Sequence, residues 1–262
     1  MKRIICAFLL LLLCLSTALA ETDYTTLTDA ELSALRTASL NELSAINAEL
    51  ARRYYTDHRA AADEPLGRIC DLFPDEAFAL VVRDACGKFS IQQPITQADL
   101  DKVKRISATS RDTYGDIYDL TGIGYLRNLE VINFVDVYLG ATLPDVVCTL
   151  SRMTDICISS NTSRQCSIPL AVLPDDIGAL TNLTQLYIPG TSVSVLPDSI
   201  CNLTRMTSMT ISYTPISKLP ENFANLTQLR RLNISYTNIT SIPETLWVMQ
   251  LDTLNMKGLD IK

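Results

Sequence analysis

The side chains with the most chemistry to offer are eight cysteines, a single histidine and a series of carboxylates that each follow a proline. His58 is the only imidazole and sits in a polar stretch, TDHRAAADEP. It reads as a solvated side chain, histidine-assisted nucleophilic catalysis finds no support, and a multi-histidine metal site is impossible. Asp145, Asp175, Asp198, Glu221 and Glu244 follow Pro144, Pro174, Pro197, Pro220 and Pro243. Acids just after a proline suit the first turn of a short helix better than they suit a catalytic carboxylate pair. Asp112, Asp116 and Asp119 offer carboxylates to calcium but lack the EF-hand spacing. There is no GxGxxG, Walker loop, GxSxG or HExxH. The chain is therefore expected to be no enzyme, with no cofactor and no metal site.

The elements around these residues begin with an address. Met1-Lys2-Arg3, the apolar run Ile4 to Leu15 and Ala18-Leu19-Ala20 form the three parts of a secretory signal peptide over residues 1–20, an uncleaved anchor being the alternative. The 262 residues as a whole have ordinary globular composition, 47% hydrophobic and 19% charged, and outside the leader no apolar run approaches the ~20 residues that span a bilayer. Formal net charge is −7, and removing Lys2 and Arg3 with the leader takes it to −9. So acidic a chain is a poor partner for nucleic acid.

Thr28-Asp29-Ala30-Glu31 is a capping box, and Leu32, Leu35, Leu43, Ile46 and Leu50 recur near the helical period. An amphipathic helix is expected within residues 21–55, followed by a linker at 56–65. Pro74-Asp75-Glu76 opens a further helix that Gly87 stops, within a helical cap over residues 66–104.

From residue 100 to 262 the chain repeats itself. LTNLTQLYIPGTSVSVLPDSICN, LTRMTSMTISYTPISKLPENFAN and LTQLRRLNISYTNITSIPETLWV begin at Leu180, Leu203 and Leu226 and share the frame LxxLxxLxIxxTxIxxLPxxI. Two longer copies begin at Leu126 and Leu150. A degenerate first copy carries Ile106, Ile117, Leu120 and Ile123, and a partial last one carries Leu251, Leu254, Met256 and Leu259. One copy cannot bury its aliphatic face, whereas stacked copies share a continuous core.

This frame resembles the leucine-rich repeat. The segments FPDEAFALVVRDACGK, PITQADLDKVKRI and IYDLTGIGYLRNLEVINF resemble the helical cap and first repeats of internalin-like bacterial secreted proteins. The resemblance implies an α/β right-handed leucine-rich-repeat solenoid with a helical N-terminal cap, in a secreted protein, extracellular or periplasmic, or held at a cell surface.

In such repeats the residues between and just after the strand aliphatics face outward, onto the concave side. These are Val131, Asn133 and Val135; Asp155, Cys157 and Ser159; Gln185, Tyr187 and Pro189; Ser208, Thr210 and Ser212; Arg231, Asn233 and Ser235; and Thr253, Asn255 and Lys257. Tyr213 and Tyr236 follow on one edge. Tyrosine offers large contact area at small entropic cost. A contact patch for a protein or glycan is therefore expected around Tyr187, Tyr213 and Tyr236, with Gln185, Arg231, Asn233 and Asn255. The alternative is that SYT is simply what this repeat places after the strand. Cys70 and Cys86 bracket the cap helix and are expected to pair, as are Cys157 and Cys166. Cys148 and Cys201 fall in a small-residue slot and read as buried free thiols, and Trp247 takes that slot in the last full copy, where it is expected to spread over the exposed end of the core. The function expected is recognition of a protein or glycan by a secreted module. The alternative is a homodimer or larger assembly, pairing through an open C-terminal repeat end or the N-terminal helix.

Overall fold

The computed structural model describes residues 64–109, 112, 114–160 and 168–261. The expected leader, the amphipathic helix, nearly all of the linker and Cys166 lie outside the described residues. The chain from Pro65 opens with strand β1 (Pro65–Arg68), which pairs antiparallel with β2 (Pro94–Thr96). Pro65, expected in the linker, is thus already part of the cap. Between them lie helices α1 (Ile69–Leu72) and α2 (Glu76–Ala85). A third helix, α3 (Gln97–Leu100), follows β2 directly.

Helix α2 forms where the sequence places its signals. The Asp75 side chain accepts from the Phe78 N–H at 2.9 Å, closing the N-terminus, and Gly87 takes φ 64° just beyond the end. Its inner face buries Ala77, Phe78, Ala79, Val81 and Val82. Phe73 packs edge-on against Phe78, with ring centroids 5.4 Å apart, and meets Tyr125 of the first repeat at 6.3 Å. Polar contacts complete the junction. The second oxygen of Asp75 accepts from the N–H groups of Tyr118 and Asp119, and Gln97 Nε2 donates to the Tyr125 carbonyl. The cap therefore covers the first turn of the repeats through both apolar and polar contacts.

At the start of α3 Thr96 and Asp99 form a reciprocal capping box, and Asp99 Oδ2 also lies 2.8 Å from Lys88 Nζ. The Lys88 hydrogen bond, ahead of the Thr96 contacts, holds the Asp99 carboxyl below the usual carboxylate range. A lowered folded-state value stabilises the protein at pH above the ordinary carboxylate range, and that contribution is lost as pH falls through the lowered value. Asp99→Asn is expected to cost about 1 kcal/mol at neutral pH and progressively less as pH falls through the acid range, as urea titrations of both proteins across that range would show.

Seven parallel strands follow in sequence order: β3 (Arg105–Thr109), β4 (Val131–Val135), β5 (Asp155–Ser159), β6 (Gln185–Tyr187), β7 (Ser208–Thr210), β8 (Arg231–Asn233) and β9 (Thr253–Asn255). Equivalent frame positions pair throughout: Ile106, Ile132, Ile156, Leu186, Met209, Leu232 and Leu254 form one inward column. All but Leu254, in the edge strand, are at most 1% exposed. This is the arrangement of a leucine-rich-repeat solenoid, each copy supplying one strand and one return segment.

The return segments are short 3₁₀ turns, among them Asp145–Thr149, Asp198–Asn202 and Glu244–Val248. In the five copies that carry the proline, its carbonyl accepts from the N–H three residues on, as in Val147 to Pro144 (2.9 Å) and Ile200 to Pro197 (3.0 Å). Proline supplies an extended φ and gives up no donor here. In the last such turn Leu246 is the buried side chain, whereas Trp247 is 61% exposed. The expectation that Trp247 spreads over the core is therefore corrected.

The cysteines depart from expectation at both expected pairs: Cys157 is a free thiol, its expected partner Cys166 lying outside the described residues, and the cap pair is not bridged. Cys70 and Cys86 are free thiols. Cys70 Sγ faces Gln92 Oε1 at 3.6 Å, while Cys86 Sγ faces the Asp99 carbonyl at 4.0 Å, so each thiol turns to a different neighbour. Burial pushes the Cys86 thiol up to about 11. Cys148 and Cys201 are buried free thiols, and burial pushes Cys148 up to about 12. Among the described residues no helix is long and apolar enough to cross a membrane.

Candidate functional site

Because the strands pair in register, their outward side chains form columns across the sheet. One runs Arg105, Val131, Asp155, Gln185, Ser208, Arg231 and Thr253; the next runs Ser107, Asn133, Cys157, Tyr187, Thr210, Asn233 and Asn255. Gln185, Arg231 and Asn255 are exposed and Asn233 half-buried, so the expected surface residues of these two columns lie on one face. Cys157 is half-buried and paired in register with Tyr187, and burial raises its thiol.

The third expected column is different. Ser159, Pro189, Ser212 and Ser235 are buried. Each precedes the corner where the chain leaves the sheet, and that bend turns these side chains away from solvent. The Ser235 hydroxyl, for instance, donates to Asn233 Oδ1 at 2.7 Å. Beyond them a buried threonine closes the corner in successive copies: Thr191, Thr214 and Thr237 donate to the carbonyls of Ile188, Ile211 and Ile234 at 3.0, 2.7 and 2.9 Å. The T that recurs in the frame is thus a structural hydroxyl.

The corner residue itself lies in the left-handed region. Gly190 has φ 70° and Gly258 φ 77°, as such a corner favours. The two copies between them use tyrosine: Tyr213 at φ 57° and Tyr236 at φ 55°. A non-glycine residue held there costs of order 1 kcal/mol or more. The two rings stack with centroids 4.6 Å apart and planes 17° from parallel, matching the spacing of adjacent strands. They nevertheless stay 48% and 39% exposed. Lys257 Nζ stands 5.8 Å from the Tyr236 ring centroid, and the hydrogen bond with the Tyr236 side chain holds the Lys257 ammonium above its ordinary value. Gly258 leaves room for the ring: a Cβ at that position would come within 2.6 Å of it.

Of the three expected tyrosines, then, two form a stack. Tyr187 is exposed in the middle column of β6, with no ring contact to that stack among the described residues. Sequence reasoning missed a second exposed aromatic pair, Tyr118 and Tyr138, with centroids 5.3 Å apart. The sequence shows only that Tyr118 and Tyr138 neighbour the aliphatics Ile117 and Leu139; the parallel bridge between those two is what brings the rings together. Phe89, 93% exposed in the cap, was also missed. Among the described residues no group of three or more His, Cys, Asp or Glu could hold a metal ion.

Residues 59–101 match the family described as the N-terminal part of bacterial adhesion/invasion proteins, the internalin N-terminal segment, and residues 228–249 match the leucine-rich repeat. The chain folds as a leucine-rich-repeat solenoid, and its cap is similar to the N-terminal segment of internalins. Its fold is similar to a crystal structure of internalin C2 from Listeria monocytogenes, with a TM-score of 0.59 and 22% identity over 76% of this chain and 91% of that one. A secreted internalin-like protein of the same organism gives a TM-score of 0.52 at 22% identity, over 75% of this chain and 66% of that one. Listeria monocytogenes InlP gives 0.51 at 19% identity, and the match spans 75% of this chain but only 60% of InlP. No curated protein sequence matches this internalin-like chain.

Proposed function

We propose that this internalin-like protein is a secreted recognition module without enzymatic activity, which binds a protein through the outward face and edge of its parallel sheet. The observation that carries the reading is the Tyr213–Tyr236 stack. Two aromatic rings are kept half-exposed on left-handed backbone, at positions where the flanking copies have glycine. Left-handed strain and incomplete burial both oppose folding, which is the pattern expected where a residue is retained for contact with a partner. The matched N-terminal segment, shared with bacterial adhesion/invasion proteins, supports the same reading.

The test is capture of partners from host-cell and neighbouring-cell extracts. Residues 21–262 are compared with a variant carrying Tyr187→Arg, Tyr213→Arg and Tyr236→Arg. A partner held by the parent and lost by the folded variant is expected. A partner held equally by both would contradict the assignment of this face.

A second reading, pairing of two copies through the C-terminal repeats, is favoured by half-buried Leu254, Met256 and Leu259 beside exposed Trp247 and Val248. It requires a mass that rises with protein concentration in sedimentation equilibrium.

A further inference from the structure

The C-terminal half of the outward face carries charge opposite to that of the chain. Net charge is −7, yet Arg231 and Lys257 are the charged groups on the outward positions of β6–β9 and the corner after β9. Both are exposed, and neither meets a carboxylate among the ion pairs of the described residues. They flank the aromatic stack: Lys257 lies against Tyr236, and Arg231 stands at the opposite end of β8. From the register, their backbone positions are ~14 Å apart.

We infer that this part of the face takes an acidic polypeptide segment in extended conformation, an inference that rests on the recognition function proposed above. Two carboxylates four residues apart on an extended chain are ~13 Å apart, which matches the spacing of Arg231 and Lys257. A ring or proline between them would lie on the Tyr213–Tyr236 stack, and Asn255, exposed on β9, offers an amide for the main chain of the segment. A densely charged polymer such as a sulfated glycan or a nucleic acid fits less well. It would place many charges against two cations while the remainder of an acidic protein repels it.

The test is a fluorescence-anisotropy titration of the protein against labelled random Glu/Tyr copolymer, with heparin and poly-lysine in parallel. Binding of the copolymer that weakens with salt is expected. Arg231→Glu with Lys257→Glu should reduce it about tenfold or more, and Arg231→Gln with Lys257→Gln by less. Unchanged copolymer affinity in both folded variants, or no copolymer binding by the parent, would overturn the inference. So would tighter binding of heparin that the same substitutions abolish, which would make the partner an anionic glycan. The recognition reading fails separately. A partner lost by the tyrosine variant but kept by the charge-reversed one leaves that reading standing and removes this one.

Discussion

Gly122→Ala is expected to lower the free energy of unfolding by about 3 kcal/mol or more, read as a shifted urea midpoint with an unchanged slope. Two independent costs coincide at this residue. Gly122 has φ 95°, a conformation an L side chain adopts only with strain. An added Cβ would also overlap the Leu72 carbonyl oxygen and come within 2.8 Å of the Phe73 ring. Neither neighbour can yield cheaply, since one is backbone and the other is a fully buried aromatic packed against Phe78. Because Leu72 and Phe73 belong to the cap and Gly122 to the first repeat, the substitution should separate the two. Hydrogen exchange would then rise first in α1, α2 and β3, with β6–β8 less affected. An alanine variant as stable as the parent would mean that the cap does not close on the repeats as described.

Asp75→Ala is expected to cost about 2–3 kcal/mol, and Asp75→Asn distinctly less. One carboxylate here serves two elements. Its first oxygen accepts from the Phe78 N–H at 2.9 Å and starts α2, while its second accepts from the Tyr118 and Asp119 N–H groups at 2.8 and 3.1 Å. Alanine removes the helix cap and leaves two loop amides without their acceptor; asparagine keeps one carbonyl oxygen for one of these tasks. Thermal unfolding of the three proteins would rank them parent, asparagine, alanine. An alanine variant no worse than the asparagine one would show that the loop amides find other acceptors at no cost.

The strands were legible because the frame LxxLxI marks inward positions at a spacing that stacking must honour, and six copies restate it. Hence Ile106, in the most degenerate copy, was placed as correctly as Leu232 in a regular one. The corner after each strand was less legible. Ser212 and Ser235 continue the alternation on paper, yet the left-handed residue that follows turns the chain and buries them. Alternation holds only while the backbone stays extended. The threonine of the frame is buried at the same corner, its hydroxyl spent on a carbonyl three residues back.

Side-chain partners were harder still. Cys70 and Cys86 bracket a helix in sequence, but bracketing does not set where the thiols point, and here they face Gln92 and Asp99. Tyr187, Tyr213 and Tyr236 were grouped by proximity of copies. Only Tyr213 and Tyr236 share a column, and stacking needs a shared column as well as adjacent strands. Tyr118 and Tyr138 escaped notice because the first copies are irregular in length, so their alignment emerges only from the bridge between Ile117 and Leu139.

The central claim is that the outward face around Tyr213 and Tyr236 is where a partner sits. Its most direct test is oxidative footprinting of the protein alone and in complex with a captured partner. Tyr213 and Tyr236 are expected to become protected together with Tyr187, while Phe89, Tyr118 and Trp247 keep their reactivity. Unchanged labelling of the Tyr213–Tyr236 stack, with protection appearing at Trp247 or Phe89, would place the interface elsewhere and contradict the account.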